Sequence, residues 1–286
     1  MRINFVAILV STAAALFIAR TAAADEPSTL GVMTFNLRYA SETPPNAWPQ
    51  RRPVVRELIR QKAPDAIGTQ EGLYGQVKDI AADSPDYDWI GLGREGGSRG
   101  EFMAVFYRRE RLTPLEFDHF WLSDTPDVIG SSTWGNSNRR MVTWVRFLDT
   151  LAKREFYFFN THFDHEIQPA REKSADLVMK RVEQLPKKLP VILLGDFNAA
   201  AGANSAYDKL VGAERFTDTW TTAKTRGDPI GTFHNYGGAK MDGARIDWIL
   251  TRGPVDCLAS EVITYNKDGQ YPSDHFPVFA RLRVAE

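Results

Sequence analysis

Carboxylates, amides and histidines recur where short apolar runs end. Leu30–Phe35 is followed by Asn36, Ala66–Thr69 by Gln70-Glu71, Phe156–Thr161 by His162, and Val191–Leu194 by Gly195-Asp196-Phe197-Asn198. Ile246 is followed by Asp247, and Ser273-Asp274-His275 opens the run Phe276–Leu282. One Asp at a strand end is ordinarily a turn or a helix cap. Six such ends point instead to polar groups converging on one rim of a sheet. Asp196 and Asn198 are two residues apart, so an extended chain sends both side chains to the same face. Several carboxylates with amide oxygens and no thiolate nearby form a hard oxygen-donor set suited to Mg²⁺ or Mn²⁺. Two histidines and a glutamate could hold zinc, but no H-E-x-x-H spacing is present. A nucleophile elbow, a Walker loop and a dinucleotide-binding turn are equally absent from the sequence.

The elements that must position these groups are mostly strands. Further β-rich runs are Trp89–Leu92, Phe102–Tyr107, Met141–Leu148, Ile246–Leu250 and Cys257–Tyr265, each bounded by Gly, Pro, Asp or Asn. Arg51–Gln61 sets Val54, Val55, Leu58 and Ile59 on one helical face, and Pro64 stops it. Pro169–Leu185 is a second amphipathic helix. Val191–Leu194 is apolar at every position, so both faces of that strand should be covered. Helices interspersed among more numerous strands imply sheet layers covered by helices, in a single domain over residues 25–286. The stretch at residues 93–100, G-R-E-G-G-S-R-G, reads as a flexible loop.

Composition narrows the class. Of 286 residues, 43% are hydrophobic and 25% charged, which excludes disorder, collagen-like repetition and a polytopic membrane protein. Arg2, the apolar stretch Ile3 to Ala19 and Ala22-Ala23-Ala24 have the three-part layout of a secretory signal peptide over residues 1–24. The expected location is the periplasm or the extracellular space. Removing Arg2 and Arg20 with that leader takes the formal net charge from -1 to -3, which disfavours nonspecific nucleic-acid binding. Cys257 is the only cysteine, so no internal disulfide can form, and its strand-like setting reads as a packed thiol.

Six segments follow one another in order: Met33-Thr34-Phe35-Asn36, Thr69-Gln70-Glu71, Asn160-Thr161-His162, Gly195-Asp196-Phe197-Asn198, Arg245-Ile246-Asp247-Trp248-Ile249 and Ser273-Asp274-His275-Phe276-Pro277. Together they resemble the successive motifs of the endonuclease/exonuclease/phosphatase superfamily, and within it exported bacterial members. The resemblance implies an α/β fold, a four-layer α/β/β/α sandwich of two mixed, mainly antiparallel sheets flanked by helices. It implies a divalent-metal-dependent phosphoesterase that hydrolyses its substrate by in-line attack of an activated water.

The resemblance also assigns roles. Glu71 and Asp274 are the metal carboxylates, and Asn36 holds a metal ligand or a phosphate oxygen. Asp196 orients or deprotonates the attacking water, and Asn198 donates to a phosphoryl oxygen. His275 stands beside the scissile phosphate with Asp247 orienting it, and His162 is a second catalytic histidine. Glu101 is nominated as the acid that buttresses His162, and Arg140 as a phosphate-contacting arginine. The expected substrate is a phosphodiester, small or lipid-linked. A nucleic acid, a phosphomonoester and a catalytically silent binding module are the alternatives. No obligate protein partner is evident, and a monomer is expected. Two loops could flank the pocket: residues 123–136, through Trp134, and Thr232–Tyr236, whose His234 reads equally as a surface residue.

Overall fold

The computed structural model describes residues 29–284; the expected leader lies outside them. In chain order, β1 (Thr29–Asn36) is followed by α1 (Trp48–Lys62), β2 (Ala66–Gln70) and α2 (Tyr74–Asp83). Next come β3 (Tyr87–Ile90), β4 (Val105–Arg108), β5 (Leu112–Trp121), β6 (Met141–Asp149) and β7 (Arg154–His162). The helix α3 (Gln168–Glu183) leads to β8 (Val191–Asp196), α4 (Ser205–Leu210), β9 (Thr217–Asp218), α5 (Thr219–Thr222) and β10 (Thr225–Arg226). The chain closes with β11 (Asp247–Arg252), β12 (Val255–Val262) and β13 (Val278–Val284).

Two mixed sheets result, of seven and six strands. Their orders are β10-β12-β13-β1-β2-β4-β3 and β5-β6-β7-β8-β11-β9. Three apolar clusters define the layers. Val32, Ala66, Val105, Phe147, Phe158, Ile192 and Val278 join the inner faces of both sheets. Met33, Phe35 and Ile67 pack outward onto Val55, Leu58 and Ile59 of α1 and Val77 and Ile80 of α2. Tyr157, Phe159, Leu193 and Trp248 pack outward onto Ala175, Val178 and Val182 of α3. This is the expected α/β/β/α sandwich.

Local chemistry explains the boundaries. α1 begins three residues before the expected start because Pro49 fits the first turn, where its missing N–H is no loss. It ends at Ala63, which adopts a left-handed conformation and caps Ile59 O. Several elements have no counterpart among the expected runs, β5 and α2 being the longest of them. β5 carries Pro114, Glu116 and Asp118, and tolerates them because it is an edge strand with a bulge between Pro114 and Glu116. α2 is barely three turns long and buries only Gln76, Val77 and Ile80.

Candidate active site

Strand parity builds the site. Leu30 and Val32 of β1 face the other sheet, so Asn36 at the strand's end faces it too. The same alternation carries Phe156 and Phe158 to His162 on β7, and Ile192 and Leu194 to Asp196 on β8. β11 runs antiparallel to β8, so its first residue, Asp247, lies opposite Asp196, and parallel pairing sets His162 on the other side. Neighbouring strands lie about 4.8 Å apart, so three titratable groups are forced together at one rim. Gly195 sits in this row with Thr161 O only 2.1 Å from where a Cβ would stand, a close approach that only glycine permits.

Asp196 is the hub. Its Oδ2 accepts from Asn36 Nδ2 at 2.9 Å and lies 3.5 Å from His162 Nε2 and 3.8 Å from His275 Nε2. Its Oδ1 accepts the Asn198 backbone N–H at 2.9 Å. Burial, reinforced by the neighbouring Asp247 charge, pushes the Asp196 carboxyl up to about 7. His275 holds its Nδ1 3.0 Å from Asp247 Oδ2. Burial alone would lower its pKa, but the Asp247 and Asp196 carboxylates prevail and raise it to about 10. Thr232 fixes this pair, since its hydroxyl accepts the Asp247 N–H at 3.1 Å and its carbonyl the Phe276 N–H at 2.7 Å.

A carboxylate group adjoins the hub. Glu71, left-handed at φ 60°, accepts from Asn36 Nδ2 at 3.0 Å and from Tyr39 N at 3.3 Å. Arg38 reaches both Glu71 Oε2, at 3.9 Å, and Asp274 Oδ2, at 3.6 Å. Burial raises the Asp274 pKa. Ligand atoms of Glu71, His162 and Asp196 lie within 4.8 Å of one another, so the donors present fit a divalent cation. Asn36 enters this group differently from a direct ligand. Its carbonyl oxygen accepts the Arg38 N–H at 2.9 Å while its amide spans Glu71 and Asp196, so it holds the ligands.

A third group is cationic. Arg140 is 5% exposed; its Nη2 lies 3.0 Å from His165 Nδ1 and its Nε 3.9 Å from Asp164 Oδ2, while among the described residues Nε and Nη1 have no hydrogen-bond acceptor. Burial lowers its pKa. The expected buttress between Glu101 and His162 is not formed. Glu101 instead accepts from Arg94 Nη1 at 2.6 Å, and the buried His162 Nδ1 has no hydrogen-bond partner among the described residues. Burial, then the positive charges of Arg140 and Arg94, drive the His162 pKa well below its ordinary value. Its Nε2 meets Asn198 Nδ2 at 3.0 Å, and that amide also donates to Phe163 O at 3.1 Å.

All three groups line one cavity of about 510 Å³. Arg94, Asn138, His165 and Arg38 are pocket residues that the sequence reading did not single out. Arg94 falls in the segment read as a flexible loop, and its anchors, Glu101 and Asn138, are known only once the chain is folded. Phe233 and Asn235 line the cavity, whereas His234 is buried behind them, stacked on Phe276 at 3.7 Å. Trp134 does not line it; its indole donates to Asp124 Oδ1 at 2.7 Å and packs beside α3.

The comparisons with known proteins agree with this fold. A model of the Endonuclease/Exonuclease/phosphatase family matches residues 33–275. The fold is similar to a family protein of Bacteroides thetaiotaomicron, at TM-score 0.86 and 34% identity over 90% of this chain and 98% of that one. It is also similar to a mannosyl-6-phosphatase of the same organism, at TM-score 0.83 and 35% identity over 88% and 99% of the two chains. An uncharacterised protein of Acanthamoeba polyphaga mimivirus is 32% identical over 160 residues, which span 53% of this chain and 59% of that protein. Enzymes of this family are divalent-metal-dependent hydrolases of phosphoesters. The chain is one of them, a member of the endonuclease/exonuclease/phosphatase family.

Proposed function

We propose that this protein is an exported, monomeric phosphomonoesterase that removes phosphate from a small hydroxylated compound of the sugar-phosphate class. One observation carries the reading beyond the family: Arg38, Arg94 and Arg140 line the same cavity of about 510 Å³ as the metal-type carboxylates. A terminal phosphoryl group bears more negative charge than a diester. Arg140, whose Nε and Nη1 have no hydrogen-bond acceptor among the described residues, is placed to compensate it, while Arg38 and Arg94 balance the carboxylates Glu71, Asp274 and Glu101. The volume suits a small molecule. The similarity to a mannosyl-6-phosphatase over nearly the whole of both chains supports the same class. This departs from the phosphodiester expected from sequence. A diester reading keeps one supporting observation, the exposed aromatics Tyr39 and Phe233, to which a base or a second ring could be apposed.

The chemistry follows from the hub. Asp196, with a pKa near the working pH, takes the proton of the attacking water. His275, kept protonated by Asp247 and Asp196, presents positive charge to the phosphoryl oxygens as the transition state forms. Glu71, oriented by Asn36 and flanked by Asp196 and His162, would hold the divalent cation, Mg²⁺ or Mn²⁺, with Asp274 near it across Arg38; the cation would supply Lewis-acid stabilisation of phosphoryl charge. Asn198 ties Asp196 to His162 through its backbone N–H and its amide.

The test is a panel of p-nitrophenyl phosphate, mannose 6-phosphate, bis-p-nitrophenyl phosphate, DNA, RNA and sphingomyelin, with Mg²⁺, Mn²⁺ or chelator. Monoesters should turn over at least about tenfold faster than diesters, with chelator abolishing both. A diester preference would reverse the assignment. Export rests on the leader layout, so intact mass of the secreted protein should place its N-terminus at Asp25.

A further inference from the structure

Arg51 lies on the buried face of α1 and is 0% exposed, yet among the described residues no carboxylate hydrogen-bonds to it. Every guanidinium N–H goes to a main-chain carbonyl. Nε donates to Asn46 O at 2.8 Å, Nη1 to Leu37 O at 2.5 Å and Pro272 O at 3.1 Å, and Nη2 to Arg38 O and Tyr39 O, both at 3.0 Å. Taking such a cation out of water is costly, and among the described residues no carboxylate is close enough to pair with it, Asp274 and Glu71 acting only from farther off. A lysine has three donors and a glutamine two, so only arginine can satisfy five carbonyls at once.

Those carbonyls belong to two separate stretches of chain. Residues 37–39 and 46 follow β1; Pro272 immediately precedes Ser273, Asp274 and His275. The first stretch carries the Tyr39 N–H that contacts Glu71, and the Arg38 side chain that reaches Glu71 and Asp274. Gln76 of α2 also donates to Arg38 O at 3.0 Å, so the turn is held from two helices. The clasp therefore ends, on one side, at a metal-type carboxylate and, on the other, at the pair that faces Asp196.

We propose that Arg51 is a positioning residue of this hydrolase: by clamping residues 37–39 to Pro272 it sets the separation between Glu71 and the Asp274–His275 pair. This rests on the reading of the cavity as the metal-dependent site. Satisfying five carbonyls also serves stability, so the fixed separation is the part of its role that metal affinity and turnover report.

Arg51→Lys keeps the charge and loses the fork, and Arg51→Met loses both. In Arg51→Lys, Mn²⁺ affinity measured calorimetrically should weaken about tenfold. Turnover of the best ester should fall at least about tenfold, with KM within about twofold of the wild type. Arg51→Met should be worse on both counts. Wild-type Mn²⁺ affinity and turnover in Arg51→Lys, with only the melting temperature lowered, would overturn the proposal and leave the site reading intact. A wild-type protein that binds no Mn²⁺ would remove both. Should neither variant fold, hydrogen exchange on the wild type decides. Amides of residues 37–39 and 273–275 should open as one unit and gain protection together when Mn²⁺ is added; independent opening overturns the clasp.

Discussion

His162 and His275 end on the same carboxylate, 3.5 and 3.8 Å from Asp196 Oδ2, and both are buried. Their surroundings nevertheless drive them in opposite directions. His275 has Asp247 on its far nitrogen and holds its proton, with a pKa raised to about 10. His162 has an unpartnered far nitrogen, with the charges of Arg140 and Arg94 acting on it, and its pKa falls well below the ordinary value. Burial is common to both and favours the neutral ring in each. The charge beyond the shared carboxylate sets them apart, Asp247 overcoming burial at His275 while Arg140 and Arg94 add to it at His162, and the site acquires one imidazolium and one neutral imidazole from the same side chain.

The largest effect should come from breaking the hub that the two rings share. Asp196→Asn keeps the hydrogen-bonding shape but removes the base, so turnover should fall about 10³-fold, with the fold retained by circular dichroism. His275→Ala should cost on the order of 10²-fold or more, and Asp247→Asn a similar amount. Because they act as a unit, the double variant should be little worse than His275→Ala; losses that multiply would break the pairing. His162→Asn, which removes the neutral ring, should cost only about tenfold, a tenth of the His275 effect or less. Equal losses at the two histidines would erase the distinction.

Titration sharpens the comparison further. Ring NMR signals should show His275 charged until pH climbs through about 10, while His162 stays neutral through the physiological range. Turnover per KM should then rise as Asp196 ionises through about 7 and fall as His275 loses its proton near 10. A smaller consequence concerns stability. The His275 pKa is raised from about 6.5 in an unfolded chain, so its contribution is complete below about 6.5 and is lost as pH rises through 10. Asp196 has the opposite effect over a lower window, since an acid with a raised folded pKa withdraws stability as pH climbs from about 4 to 7. Denaturant melts at pH 5, 7 and 9 on the wild type and on His275→Gln would separate the two contributions.

Much of this site was legible before folding. Asn36, His162 and Asp196 each terminate an apolar run and Asp247 opens one, and side-chain alternation sends such termini to the inner face. Glu71, Asn198, Asp274 and His275 follow within two residues of a strand or precede the last one, so they had to lie near the same rim. The Glu101 assignment went astray because parity says nothing about a loop. Glu101 stands in an irregular segment whose partner, Arg94, reaches it from seven residues earlier across a Gly-rich turn. Arg51 appeared only as the start of a helical segment, because nothing in its neighbours announces the carbonyls of residues 37–39 and 272. β5 was hidden for a related reason, as an edge strand escapes the burial that enforces an apolar pattern.

The sequence by itself determined which groups would meet. A two-residue repeat in the strands and polar residues at their ends leave few other places for those side chains to go. Only the tertiary structure decided what each group does once there. Asp247 is 28 positions from His275, and Arg140 is 22 from His162. Charge on a ring depends on distances of a few ångströms across a low-dielectric interior, and such distances exist only when both sheets have closed.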